Sequence, residues 1–348
     1  MKDNNPIISI ILPIRNEEET ISLVIDSIIS QTKYLDEIEV IIADGLSNDK
    51  TKAIIKRYQK DYSFIFIIDN KLKFVSHGFN LALSQARGKF IIRIDGHCEV
   101  PPNYLEYCVK LLNITDADIV GGAIETVANG KVGKAISCAQ SSIFGVGSVE
   151  FRDKNNIKSS YVQTLAFGAH KREIFLQIGG YDEDMICNQD DEFNFRAIQN
   201  GKKIWMDAKL KTKYYSRSNF LQLFKQYFNY GFYKVRGIQK RNQIFSLRHL
   251  VPSIFISSIA IASIVGLLID NLMVAFLIIG CYTIFNVIFS IMSSSKIYLI
   301  PLICLSFGIL HLAYGFGFCW GLVRFINKFN NNCVNDGGFS KEKFLLNT

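Results

Sequence analysis

FIIRIDGHCEV, residues 90–100, is an apolar run that stops abruptly on polar groups. Phe90, Ile91, Ile92 and Ile94 are apolar without alternation, as in a strand buried on both faces of a parallel sheet. Asp95, Gly96 and His97 then follow at once. Asp-Gly is a common turn dipeptide, but a carboxylate and an imidazole two residues apart also form a ligand set for a cation. The neighbouring segments decide between these readings.

Working outward, IISIIL (Ile7–Leu12) is a second continuous apolar run, and Ile21, Val24, Ile25, Ile28 and Ile29 follow it at helical spacing. Glu17, Glu18 and Glu19 stand where that helix begins, and a helix dipole favours acids there. EIEVIIAD (Glu37–Asp44) predicts a strand, Lys50–Tyr58 a helix, FIFII (Phe64–Ile68) a strand, Val75–Ala86 a helix and KFIIRID (Lys89–Asp95) a strand. This rhythm predicts an α/β fold, a mostly parallel sheet with helices on both faces and a ligand crevice at the strands' carboxyl ends. PIRNEE (Pro13–Glu18), ADGLSND (Ala43–Asp49) and DGH (Asp95–His97) all fall at such ends. Each could be loop chemistry alone, since Asp44 and Gly45 suit a turn and Asn48 or Asp49 a helix cap. Three acid-bearing clusters on one edge need a further reason. The absence of GxGxxG and Walker A patterns argues against a dinucleotide or P-loop site.

The chain has 348 residues, 49% of them hydrophobic, with a mean hydropathy of +0.17. From Leu250 to Val323 only Asp270 and Lys296 carry fixed charge. They divide the stretch into runs near Leu250–Ile269, Leu272–Met292 and Ile297–Val323, each about the 20 residues needed to cross hydrocarbon. Between Asp207 and Asp270 there is no acid, while Lys209, Lys211, Lys213, Arg217, Lys225, Lys234, Arg236, Lys240, Arg241 and Arg248 hold more than the whole net charge of +8. A basic block before the first span predicts a cytoplasmic side and contact with anionic lipids, rather than nucleic-acid binding. Pro6–Ile14 is short and followed by charge, so it predicts a strand and not a signal peptide. The eight cysteines show no paired or metal-type spacing, as expected of reduced thiols in a cytosolic domain. Phe220, Leu223, Phe224, Tyr227 and Phe228 mark one helical face, with Lys225 and Lys234 away from it. That pattern fits a helix packed on protein, but the basic content and the adjacent spans favour a helix in the head-group plane. The expected organisation is a catalytic domain over 1–217, a basic interfacial segment over 218–249, about three spans over 250–323 and a polar tail over 324–348.

NQDDEFNFR (Asn188–Arg196) is the second distinctive cluster. Capping and the helix dipole account for one or two acids at a helix start. Three in a row repel one another, and the raised pKa that follows is what a general base needs.

PIRNEEETI, IIADGLSNDKT, HGFNLALSQARGKFIIRIDGH and GGYDEDMICNQDDEFNFR together resemble, in order, the blocks of family 2 glycosyltransferases with the GT-A nucleotide-diphospho-sugar transferase fold. The resemblance is to the succinoglycan-biosynthesis, ExoA-like branch of bacterial exopolysaccharide enzymes, and it runs from about Ile7 to Tyr233. It implies a first nucleotide-contacting loop at Pro13, Arg15, Asn16 and Glu17, and a base-reading acid at Asp44 with Gly45 and Ser47 shaping its turn. It further implies that Asn80 and Arg87 lie on a helix closing over the nucleotide, and that Asp95 and His97 hold a divalent metal. Histidine here replaces the second acid of the metal motif. Carboxylate plus imidazole suits Mn²⁺ better than Mg²⁺, and Gly96 would keep the backbone close to the ligand. Aligning on Arg196 puts Asp190 at the base position, with Asp191 its rival, Glu192 at the second acid and Gln189 where the family has a glutamate.

A base without a covalent nucleophile implies inversion. The family's usual donor is a UDP-sugar, and the spans imply a lipid-linked glycan acceptor at the cytoplasmic membrane, the catalytic domain facing the cytoplasm. Processive synthases carry Gln-x-x-Arg-Trp in this region; Gln226 is followed by Asn229 and Tyr230, which favours single transfer. The alternatives are a polyprenyl- or dolichyl-phosphate sugar synthase, and a non-catalytic membrane protein with a nucleotide-binding domain.

Overall fold

The computed structural model describes residues 5–31, 36–147, 151, 158–216, 218–241 and 246–326. Arg217 and nearly all of the tail after Phe325 therefore lie outside the described residues. The first half follows the expected rhythm: β1 (Ile8–Ile14), α1 (Ile21–Ile29), β2 (Ile38–Asp44), α2 (Thr51–Asp61), β3 (Ile65–Asp69), α3 (Val75–Gln85) and β4 (Phe90–Arg93). Next come β5 (Cys98–Glu99), α4 (Tyr104–Ile114), β6 (Ile119–Val127), α5 (Gly130–Gln140), α6 (Ile143–Val146), β7 (Ser160–Tyr161) and β8 (Ala169–Lys171). The chain continues through α7 (Arg172–Ile178), α8 (Gln189–Gln199), β9 (Ile204–Tyr215), α9 (Phe220–Arg241), α10 (Val251–Leu268), α11 (Met273–Ser293) and α12 (Ile300–Phe325).

Among the described residues the sheet has nine strands in the order β3-β2-β1-β4-β8-β6-β9-β5, with β7 beside β9. β3, β2, β1 and β4 run parallel, and β8 returns antiparallel to β4. Every residue of β1, β2 and β4 is buried, which is why their sequences read as unbroken apolar runs. After β3 the chain crosses to the far side of β1 to form β4. That reversal opens a crevice at the carboxyl ends of β1 and β4. The register places Ile14 beside Asp44, and Asp44 beside Asp69, at this same end.

By its contacts the chain divides into two units otherwise than by a single cut near residue 217. Among the described residues, one holds those up to 125 and 158–215, and the other holds those from 126 to 151 and from 216 to 326. The second unit thus includes α5 and α6, which lie between β6 and β8 in sequence. In it Ala135, Ile136 and Ala139 of α5 pack with Leu223 and Tyr227 of α9 and with Ile303, Phe307, Leu310 and Ala313 of α12. Phe144 of α6 stacks on Phe289 at 4.8 Å. Its carbonyl accepts from His311 Nε2 at 2.8 Å, and Tyr282 Oη donates to Nδ1 of the same ring at 2.9 Å. Three helical stretches, Leu247–Leu268, Met273–Ser293 and Ile297–Phe325, are long and apolar enough to cross a membrane.

The stripe expected to face lipid on α9 is turned inward in part, with Phe224 left exposed. Leu223 and Tyr227 are buried, as is Lys234. Backbone contact with α12 explains this. A Cβ on Gly231 would come 2.1 Å from Tyr314 O, and one on Gly317 would come 2.0 Å from Phe228 O. Only glycine allows so close an approach, the small-residue device of packed membrane helices.

In the first unit, Glu192 and Arg196 form a buried pair one helical turn apart on α8, Nε to Oε1 3.0 Å. Arg196 also donates to the carbonyls of Ile178 and Gly180, so it fastens the loop between α7 and α8.

Gly317→Leu is expected to lower thermal stability in detergent by about 3 kcal/mol, since overpacking would act on backbone rather than on a movable side chain. Gly280→Leu, where a Cβ meets nothing within 4 Å, should leave the melting curve unchanged. Arg196→Met strands the Glu192 carboxylate and should cost about 3–5 kcal/mol in denaturant unfolding; adding Glu192→Leu should recover much of it.

Candidate active site

The loops after β1 and β2 satisfy each other's backbone. Asn16, in the left-handed region at φ 56°, donates its N–H to Ser47 Oγ at 2.9 Å and accepts from Asn48 N–H at 3.0 Å. Glu17 N–H donates to Thr51 Oγ1 at 2.8 Å, and the Glu18 carboxylate accepts from Lys50 N–H at 3.0 Å. The expected dipole role of Glu17–Glu19 is thereby corrected: α1 has no acid in its first turn. Two of these acids serve cross-loop bonds, because adjacent parallel strands leave both loops with unpaired N–H groups.

Asp44 is fully buried and accepts from Ser47 N–H at 3.0 Å and Ser47 Oγ at 2.5 Å. Lys52 Nζ stands 3.4 Å from Asp44 and 2.7 Å from Asp69. Gly45 lies against Arg15, whose Cβ and Cδ are each 3.2 Å from where a Cβ would sit. Arg15 is exposed, whereas Pro13 is buried within β1.

Asp95 and His97 lie at the end of β4, each about one-sixth exposed. The imidazole Nδ1–H donates to Glu17 Oε1 at 2.9 Å, and a carboxylate can only accept. Nε2 therefore carries the lone pair of the neutral ring. A carboxylate behind the far ring nitrogen is the usual arrangement of a metal-binding histidine. Among the described residues no three His, Cys, Asp or Glu side chains converge. Two protein ligands nevertheless fit a cation whose remaining ligands are diphosphate oxygens and water. Gly96 has a different reason from the one expected. A Cβ there would lie 2.7 Å from Glu17 Cγ and 2.9 Å from Ile14 Cγ2, so glycine lets Glu17 reach His97. Thr20 Oγ1 fixes the same turn by donating to Gly96 O at 2.8 Å.

Asn80 and Arg87 are both committed to protein partners. The Asn80 amide donates to Tyr181 O at 2.8 Å and Glu183 Oε1 at 3.0 Å, and its oxygen accepts from Tyr181 N–H at 2.8 Å. It fastens α3 to the loop before α8. Arg87 forms a fork on Glu39, both side-chain bonds 3.0 Å. Glu39 sits beside Ser9, near the amino ends of β1 and β2. Five residues separate it from Asp44, about 16 Å along the strand. Arg87 is therefore at the wrong end of the sheet to contact a nucleotide held at the carboxyl ends.

Sequence reasoning passed over Arg93, although a charged residue inside an isoleucine run was a visible signal. Arg93 is buried and grips Asp95 with two bonds, Nε to Oδ1 2.9 Å and Nη2 to Oδ2 3.2 Å. Nη1 donates to Tyr181 Oη at 3.2 Å. Burial opposes the guanidinium charge, but Asp95 and its neighbours outweigh it and hold the pKa above the ordinary arginine range.

Asp190 and Asp191 open α8 after Asn188, whose backbone is left-handed at φ 60°. Asp191 accepts from Thr164 Oγ1 at 2.8 Å. Asp190 is partly open at its surface yet surrounded by protein. Burial first, then the Asp191 charge, push its carboxyl up to about 6, with Asp95 adding and Arg93 opposing. Arg93, Asp95 and Asp190 thus share one electrostatic neighbourhood, a carboxylate of raised pKa beside a candidate cation site.

The family model described as glycosyl transferase family 2 matches residues 9–147. The succinoglycan biosynthesis protein ExoA of Rhizobium meliloti is 31% identical over 245 residues, covering 70% of this chain and 73% of that protein. A dolichyl N-acetyl-alpha-D-glucosaminyl phosphate 3-beta-D-2,3-diacetamido-2,3-dideoxy-beta-D-glucuronosyltransferase of Methanococcus voltae is 28% identical, covering 78% of this chain and 85% of that one. Among solved structures, the mannosyltransferase PcManGT of Pyrobaculum calidifontis, in complex with GDP-Man and Mn²⁺, superposes with a TM-score of 0.60. Its identity is 16%, with 89% of this chain and 88% of that chain covered. The sheet order, the acids at its carboxyl edge and these relatives agree: the chain belongs to the family 2 glycosyltransferases and has their GT-A fold.

Proposed function

We propose that this glycosyltransferase of glycan synthesis moves a single sugar, with inversion, from a UDP-sugar to a hydroxyl of a lipid-linked glycan at the cytoplasmic face of a membrane. The observation that carries the reading is Asp190, a carboxylate tuned to about 6 in the electrostatic neighbourhood of Asp95. A base must be ionised at working pH yet basic enough to take a proton, and a pKa near neutrality meets both demands. Asp190 would accept the proton of the acceptor hydroxyl as that oxygen bonds to the anomeric carbon and the bond to the diphosphate breaks. Asp191, held by Thr164, would stand beside Asp190, and its charge adds to the base's affinity for the proton.

Asp95 and His97 would hold a divalent ion, Mn²⁺ in preference to Mg²⁺, and the ion would supply charge neutralisation of the departing diphosphate. Asp44, with Ser47 setting its orientation, would read the base edge, and the backbone around Arg15 and Asn16 would line the same slot. Asn80 acts from behind, through the loop it ties down. Three helices able to span a membrane support an acceptor carried on lipid, and the basic residues of α9 support a cytoplasmic catalytic side.

The test is transfer from a panel of nucleotide-sugars to lipid-linked acceptors, with products separated by mass, for the wild type and Asp190→Asn. The variant should lose roughly 10²–10⁴-fold in kcat while the donor KM stays within about threefold. A loss under tenfold would point to a phosphate acceptor, which needs no strong base. The wild-type kcat/KM should fall as pH drops below about 6, because the base then holds its proton, and this limb should be absent from the residual activity of Asp190→Asn.

A stability measurement gives an independent check. The folded-state pKa is raised, so the native protein binds more protons than the unfolded chain, and this contribution to stability is lost as pH rises from about 4 to 6. Asp190→Asn should therefore raise the melting temperature by roughly 2–4 °C at pH 8, with the gain shrinking between pH 6 and pH 4.

A further inference from the structure

Arg93 is locked from every side. Its neighbours in β4 are buried isoleucines, its fork closes on both oxygens of Asp95, and its third nitrogen holds Tyr181 Oη. Tyr181 is fixed in turn. Its ring stacks on Phe79 at 4.2 Å and meets Phe193 edge-on at 5.4 Å, and its backbone is tied to Asn80 at both ends. The guanidinium thus has no room to swing away, and only 4% of its side chain is exposed, so it lies beneath the site and not in it.

This arrangement decides the charge that Asp95 and His97 present. A motif of two carboxylates offers a cation two negative charges. Here one position is an imidazole with Nδ1 spent on Glu17, and the one carboxylate carries a permanent positive charge on its back. The number of charged ligands is what sets affinity at a hard-cation site. The pair keeps lone pairs of the right kind but offers a single carboxylate, and that one is already ion-paired with Arg93.

We propose that Arg93 is a positioning residue that makes divalent-cation binding conditional on the nucleotide diphosphate: its fork orients Asp95 while cancelling the charge that would otherwise capture the cation alone. The diphosphate supplies the missing negative charge, so cation and donor enter together. The inference rests on reading Asp95 and His97 as the cation holders, and it assigns to a residue outside the site the control over when that site fills.

The experiment is a Mn²⁺ titration of the full-length chain in detergent, followed by the electron paramagnetic resonance of free Mn²⁺, with no nucleotide, with UDP and with GDP. Wild type, Arg93→Met, Arg93→Lys and Asp95→Asn are compared, each checked by thermal melting. Wild type should bind at least tenfold more tightly with whichever nucleotide it accepts than with none. Arg93→Met should gain at least tenfold in nucleotide-free affinity, flattening that ratio. Arg93→Lys, which keeps the charge and loses the fork, should retain the ratio.

The inference is overturned by a wild-type ratio below about twofold, or by a folded Arg93→Met with unchanged nucleotide-free affinity. Should Arg93→Met fail to fold, a folded Arg93→Lys that binds Mn²⁺ without nucleotide as tightly as with it also overturns it. Asp95→Asn separates the two layers. If it leaves Mn²⁺ binding untouched in every condition, the reading of the cation holders has failed. If it abolishes binding while Arg93→Met behaves as wild type, only the role of Arg93 has.

Discussion

A guanidinium inside an apolar strand cannot be left without a counter-charge, and much of the catalytic unit is arranged around that requirement. Arg93 draws Asp95 back against the end of β4 and takes Tyr181 as its second partner. Tyr181 brings with it the loop that leads into α8, and α8 begins with Asp190 and Asp191. Asp95 and the loop leading to Asp190, nearly a hundred residues apart in sequence, are thus tied to one side chain. The Glu192–Arg196 pair supports the same end of that loop through the carbonyls of Ile178 and Gly180. Both devices put a buried charge to work as a geometric constraint.

The half of the fold that depends on local pattern was legible in the sequence. The first four strands, the first three helices, the crevice end of the sheet and the three long apolar helices all follow from apolar runs, helical spacing and turn residues, whereas β5 to β9, which pair antiparallel, were not read from the sequence. What periodicity cannot show is pairing at a distance. Glu17 reads as an acid near a helix start, and nothing local says that it will hold His97, eighty residues on. Arg87 follows the helix expected to cover the nucleotide, but the partner that matters is Glu39 at the opposite strand end. Gly96 shows the same limit: its smallness was visible, and the neighbour requiring it was not.

The second unit shows where amphipathic pattern misleads. A stripe of aromatic and aliphatic residues beside lysines reads equally as a lipid-facing helix or as one packed on protein. The deciding residues are glycines, Gly231 on α9 and Gly317 and Gly321 on α12, where side chains would meet backbone. Their contribution is an absence of atoms, to which hydrophobic scales are blind. Lys234 is buried on the same helix, so even the charged residues of α9 are not a guide to which face meets solvent.

The insertion of 126–154 into the second unit bears on how the chain can be made. The ribosome completes β1 to β6, then a segment whose apolar partners on α9 and α12 do not yet exist, and only afterwards β8, α8 and β9. The apolar residues of α5 must wait through the synthesis of some eighty more residues, which include β8, β9 and α8. The catalytic unit is finished while part of the chain threaded through it is still unsatisfied, so its folding and the assembly of the apolar helices are coupled in time. For the same reason the apolar helices are not a detachable anchor. Removing them at any one point would leave Ala135, Ile136 and Ala139 as an open apolar surface within what remained.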